Sequence, residues 1–112
     1  MMNKYRKKPV VIEAVQLLET NESIIEVEKF ISGNEDIQNN ISHKANDKWD
    51  EYVEHIKSQG GRKIRTLESH DADLLASFGD WIIKGVKGEF YPCKNEIFLE
   101  TYERVIPEEV EK

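Results

Sequence analysis

Cysteine occurs once in these 112 residues, at Cys93, so no internal disulfide can form and the chain suits a reducing cytoplasm. Long apolar runs are missing as well. The one that follows the basic start, from Val10 to Leu18, carries Glu13 within it and is too short for a membrane span or a secretory leader. Nor is there an excess of basic charge, since 16 Lys and Arg stand against 22 Asp and Glu for a net charge of −6. That balance excludes a general nucleic-acid footprint, which needs a basic surface. It leaves room for a local anionic ligand. His43, His55 and His70 match no zinc spacing and Cys93 has no second thiol beside it, so neither a metal nor another cofactor is expected. The sequence has no internal repeat, and a chain of this length reads as one domain that buries about two thirds of its unfolded surface.

What is present is organised around a hairpin. Trp81 to Val86 and Glu89 to Cys93 are rich in β-branched and aromatic residues, with Lys87-Gly88 between them as the turn. A two-residue loop would set Val86 opposite Glu89, Gly85 opposite Phe90, Lys84 opposite Tyr91 and Ile82 opposite Cys93. Trp81, Ile83, Gly85, Phe90 and Pro92 would then share the core face, with Phe90 over the bare Cα of Gly85. The other face would hold Lys84, Glu89 and Tyr91, with Lys94 beside them. This mixed face is the candidate binding surface: Lys84 and Lys94 offer charge, Tyr91 a flat amphipathic contact. Pro92 lacks an N–H, so the second strand lies at an edge or ends there.

The rest of the chain follows in order. Residues 1–8 form a basic arm with Lys4, Arg6, Lys7 and Lys8, stopped by Pro9. Val10 to Leu18 reads as a strand apolar on both sides, hence a central one. A helix capped by Asn21 carries Ile24, Val27, Phe30 and Ile31 to a stop at Gly33. Residues 34–46 are polar and read as a flexible loop. A second helix, capped by Asp47, lines up Trp49, Tyr52, Val53 and Ile56 before Gly60-Gly61. Strands over Lys63 to Glu68 and Asp73 to Ser77 flank a turn at Ser69-His70-Asp71. A last helix, capped by Asn95, pairs Phe98 with Tyr102 and continues its stripe to Val105, ahead of an acidic tail at 107–112. The fold class is α+β: a single domain with a mostly antiparallel sheet of about five strands, as a meander or half-barrel, and two or three helices packed on it.

The opening Tyr5-Arg6-Lys7-Lys8-Pro9-Val10-Val11-Ile12-Glu13-Ala14-Val15-Gln16, the hairpin and the following Asn95-Glu96-Ile97-Phe98-Leu99-Glu100-Thr101-Tyr102-Glu103 together resemble a family of small bacteriophage and prophage proteins named for a Pro-Gly-Asp-Tyr-Gly motif (PGDYG). The likeness covers the first sixteen or so residues and most of the last third. Here Phe78 stands where the family often has Pro before Gly79-Asp80, and Trp81 replaces Tyr. The resemblance implies an accessory protein in a bacterial host's cytoplasm, of a kind that often interferes with host processes including immunity. It brings no catalytic or ligand residues to this chain.

No complete catalytic constellation is legible. Cys93 lacks a neighbouring base, and Gly85-Val86-Lys87-Gly88 precedes no helix N-terminus that would make it a phosphate loop. Glu13, inside an apolar strand, would be a raised-pKa acid if buried, while an edge position or a partner such as Arg65 would explain it without chemistry. The expected function is therefore non-enzymatic binding of a host protein or a small anionic ligand. A small hydrolase or nucleotide-processing enzyme remains open if Glu13, Asp71, Asp73 and Asp80 converge in a pocket. A homo-oligomeric structural module is a third reading, resting on the sheet edge near Pro92 and on Trp49.

Overall fold

Ile82 and Ile83 are adjacent in the chain and both fully buried, which a strand allows only when both of its faces are covered. They lie in β4 (Trp81–Lys84), the middle of a three-stranded antiparallel sheet with β1 (Glu13–Gln16) on one side and β5 (Phe90–Cys93) on the other. β2 (Gly61–Ile64) and β3 (Leu74–Ser77) pair as a second antiparallel sheet lying against β5. The helices are α1 (Asn21–Ser32), α2 (Asn46–Gln59) and α3 (Asn95–Thr101). The computed structural model describes residues 2–37, 46–65 and 73–106.

The architecture is the expected α+β domain of five antiparallel strands, divided between two sheets instead of running as one meander. The division arises at residues 77–80. There the amide of Asp80 donates to Ser77 C=O at 2.9 Å, and Gly79 takes φ +101°, so Phe78-Gly79 occupy the centre of a type II turn. Leu17 then pairs across this turn, donating to Asp80 C=O at 2.8 Å and accepting from Gly79 N–H at 2.6 Å. The N-terminal strand thereby takes the edge of β4 that a meander would have given to β3. β1 is consequently an edge strand and not the central one; the adjacent Ile82-Ile83 pair was the truer sign of the centre.

One face of the sheet carries Val15, Leu17 and Ile82, which join Ile24 and Val27 of α1 and Trp49, Val53 and Ile56 of α2 in the main core. Both apolar stripes therefore lie where helical spacing put them. Thr20 rather than Asn21 caps α1, its hydroxyl accepting from Ser23 N–H at 3.1 Å. α2 already begins at Asn46, so Asp47 sits within its first turn and not at the cap. Ile64 and Ala76 extend the same core from the second sheet. Trp49 belongs to this interior and offers no docking surface. The loop expected over 34–46, the turn at 69–71 and the tail at 107–112 fall largely or wholly outside the described residues.

The opposite face of β4 is covered by α3. The Phe98 ring stacks on Trp81 with centroids 4.1 Å apart and planes 8° from parallel, and Tyr102 follows 5.0 Å from Phe98. Asn95 does not cap this helix. Its side-chain oxygen accepts from Trp81 Nε1 at 2.9 Å and Gln16 Nε2 at 3.3 Å, tying α3 to β4 and β1. The helix ends at Thr101 and Tyr102 is extended, so Val105 does not continue the stripe.

Candidate functional site

The hairpin loop decides which side chains can act together. Gly85 N–H donates to Glu89 C=O at 2.7 Å, Gly88 N–H donates to Gly85 C=O at 3.0 Å, and Gly88 has φ +82°. These are the marks of a three-residue loop, Val86-Lys87-Gly88, in which a turn is closed by a left-handed glycine. Such a loop needs φ > 0 at Gly88 alone, whereas a type I′ turn would also have forced Lys87 there. The extra loop residue shifts the register by one: Trp81 pairs with Cys93, Ile82 with Pro92, Ile83 with Tyr91 and Lys84 with Phe90. Because side chains alternate along a strand, the whole second strand changes face. Trp81 and Phe90 therefore lie on opposite sides, with Trp81 under α3 and Phe90 edge-on to Phe30 of α1 at 5.5 Å.

The expected mixed face is not assembled. Lys84 is exposed and shares its side of the sheet with Phe90 and with Glu13, its partner across β1. Tyr91 is on the other side beside Tyr102, and its phenol is pushed up to about 12, first by burial and then by the Tyr102 hydroxyl and the Glu89 charge. Glu89 folds its carboxylate over Gly85, where a Cβ would collide with it, and accepts from Lys87 N–H at 3.0 Å. Lys94 sits at the far end of the hairpin, 3.3 Å from Asp80. Glu89, and not Phe90, is thus the group that uses the bare Cα of Gly85. Gly85→Ala should displace that carboxylate and cost about 1 kcal/mol, the order of one hydrogen bond. In an equilibrium denaturation cycle, Gly85→Ala should add little once Glu89 is already Ala.

What the structure does bring together is a cleft. Extending the β1–β4 register beyond Glu13 and Lys84 would set Ile12 opposite Gly85 and Val11 opposite Val86. The chains instead part there, as β4 turns into the hairpin loop. The gap, about 350 Å³, is lined by Val11, Ile12, Glu13, Lys84, Gly85, Val86 and Gly88. Val11 and Val86 are each 70% exposed, and Glu13 and Lys84 give the cleft one charge of each sign. Residues 2–10, with their four cations, lead into it exposed and outside any regular element. Lys7 Nζ lies 5.5 Å from the centre of the Tyr102 ring, a cation–π contact between the arm and the residue that follows α3.

Of the acids considered for catalysis, the described ones, Glu13, Asp73 and Asp80, are dispersed. Glu13 is exposed on the edge strand β1 at the cleft, the edge position that explains it without chemistry, and is not paired with Arg65, which reaches Asp73 at 3.3 Å. Asp80 is buried at the opposite end of the strands, accepting from Ser77 N–H at 2.9 Å and from Lys94. Its carboxylate therefore holds the Gly79-Asp80 turn shut. In this turn Gly79 supplies positive φ at the third position and Asp80 ties off the Ser77 amide. Asp71, His43 and His70 lie outside the described residues, within which no cluster of metal-ligating side chains occurs. Burial and the Asp80 charge push the Cys93 thiol up, away from the thiolate a nucleophile needs.

Glu28 was not singled out in the sequence. Its carboxylate is buried between α1, α2 and β2, where Arg62 donates to it through Nε at 2.9 Å and Nη2 at 3.2 Å and Tyr52 donates through its hydroxyl. The available signal was its place one turn after Ile24, on the apolar stripe of α1. Every hydrogen-bonding partner of this acid is internal, so the group clamps elements together rather than facing a ligand. No family model, curated protein or solved structure matches the chain.

Proposed function

We propose that this protein is a non-enzymatic accessory protein of phage or prophage type that binds a protein of its bacterial host in the host cytoplasm. The setting is supported by the likeness of the arm, hairpin and last helix to the PGDYG family, and host immunity is among the processes such binding would serve. The observation that carries the binding reading is the cleft between the parted ends of β1 and β4, with Val11 and Val86 both 70% exposed at its mouth. Apolar groups left in water beside a concave surface are typical of contact sites. A protein partner is favoured over a small anion because Glu13 faces Lys84 across the strands, offsetting the field that would hold a free anion. Lys4, Arg6, Lys7 and Lys8 on the approach favour a partner whose apolar protrusion is ringed by acidic groups.

Native mass spectrometry of the protein recovered from its host tests this. The wild type should retain a protein partner in fixed stoichiometry, and a Lys84→Glu/Val86→Asp variant with unchanged thermal stability should lose it. A retained small molecule in place of a protein, or a partner held equally by the variant, would overturn the reading.

A further inference from the structure

Helix α3 is seven residues long, and none of them is buried. A helix of that length does not hold itself in water, so its contacts decide whether it forms. At its start the Asn95 oxygen accepts from Trp81 Nε1 at 2.9 Å, and in its middle Phe98 lies flat on Trp81. The far end has less. Its last backbone bond runs from Tyr102 N–H to Phe98 C=O at 2.9 Å, and no basic residue stands in the last turn. A cation is favoured at such an end, where carbonyl groups are left without helical partners. The segment from Asn95 to Glu103 also carries Glu96, Glu100 and Glu103 with no Lys or Arg among them.

The arm supplies what this end lacks. Residues 2–12 hold Lys4, Arg6, Lys7 and Lys8 and no acid, and it is Lys7 that meets the Tyr102 ring. Tyr102 in turn lies 5.0 Å from Phe98 and beside Tyr91, so the cation sits on the last ring of the stack that holds α3 to the sheet. We infer that residues 2–8 are a releasable strap on the C-terminal end of α3, and that a polyanionic partner draws the strap off and loosens the helix. The trigger rests on the acidic partner read from the cleft, whereas the strap itself does not. An exposed cation–π contact is worth about a two- to fivefold preference for the docked arm. That is weak enough to be exchanged for the acidic groups of a partner. Until one arrives, it keeps the cations of the arm beside the acids of their own chain. Lys7 cannot serve both at once, so partner binding and docking of the arm oppose each other by the same factor in either direction.

NMR on the full chain, with no host protein present, tests the inference. The Lys7 ε-methylene protons should be shifted upfield by the Tyr102 ring. Amide exchange at Tyr102 should rise about two- to fivefold in Lys7→Gln, which removes the charge from an exposed side chain, while exchange at Ile82 in the middle strand stays the same. Polyglutamate added to the wild type should return the Lys7 protons to their ordinary position and bring Tyr102 exchange to the variant's rate. It should leave Tyr102 exchange in Lys7→Gln unchanged. Lys7 protons without an upfield shift, or equal Tyr102 exchange in wild type and variant, would overturn the strap, and readouts that ignore polyglutamate would overturn its release. Neither readout depends on the host protein, so a failure of the cleft reading is registered separately, by mass spectrometry.

Discussion

Gly61→Ala is expected to destabilise this protein by about 3–5 kcal/mol, combining backbone strain with overpacking. Gly61 opens β2 opposite Ser77 with φ +155°, and a Cβ there would penetrate the carbonyl oxygen of Ala76 while lying 2.8 Å from its carbon and 2.9 Å from Ser77 Cα. All of these are backbone atoms of the paired strand, so no rotamer change relieves the collision. The β2–β3 ladder would have to separate, taking Ile64 and Ala76 out of the core. Gly60→Ala provides the contrast. Gly60 has φ +83° but open space where its Cβ would go, so only the conformational penalty of about 1 kcal/mol applies. Thermal unfolding of both variants should give shifts differing by roughly 10 °C or more for a domain of this size. Equal shifts would mean that the close approach at Gly61 is not what demands glycine.

Arg62→Ala is expected to cost about 3 kcal/mol, because it leaves the Glu28 carboxylate buried without its counter-charge. Only the Tyr52 hydroxyl would still donate to it. Replacing both charges, as Glu28→Leu with Arg62→Met, should recover most of the loss, since a buried pair contributes little beyond what apolar groups of similar volume supply. Urea denaturation of the three variants measures the difference, and a double variant no better than Arg62→Ala would mean that the charges do more than satisfy each other. The network also has an alkaline signature. The Tyr52 phenol is pushed up from its ordinary 10.0 to about 12, by burial first and then by its hydrogen bond to Glu28. The folded state thus favours the neutral phenol, so this contribution is fully present below pH 10 and is lost as pH rises toward 12. Tyr52→Phe should flatten the decline in stability over that window.

Much of the fold was legible because local physics specified it. The stripe Ile24-Val27-Phe30-Ile31 and the stripe Trp49-Tyr52-Val53-Ile56 could bury one side only as helices, and both lie against the sheet. The hairpin was equally plain from its β-branched strands and central glycine. The candidate site was less legible. A loop of two residues and one of three differ little in local energy, yet the difference moved Phe90 and Pro92 to one face and Tyr91 to the other, separating Lys84 from Tyr91. Helix caps slipped by a residue for a related reason: Asn95 has the right side chain to cap α3, but Trp81 and Gln16 compete for its oxygen.

Order along the chain, the helix and strand types and the glycine turns at Gly79 and Gly88 were thus settled by the letters themselves, through periods of 3.6 and 2 and through the backbone freedom of glycine. Register, the edge position of β1, the clamp on Glu28 and the cleft beside Lys84 were settled only in three dimensions. Each of these depends on which groups far apart in sequence compete for the same neighbour. Leu17 reaches the Gly79-Asp80 turn before β3 can pair there, and Arg62 meets Glu28 only once α1 and β2 share a core. Side-chain periodicity records which face is apolar, but it carries no record of what will come to lie against that face.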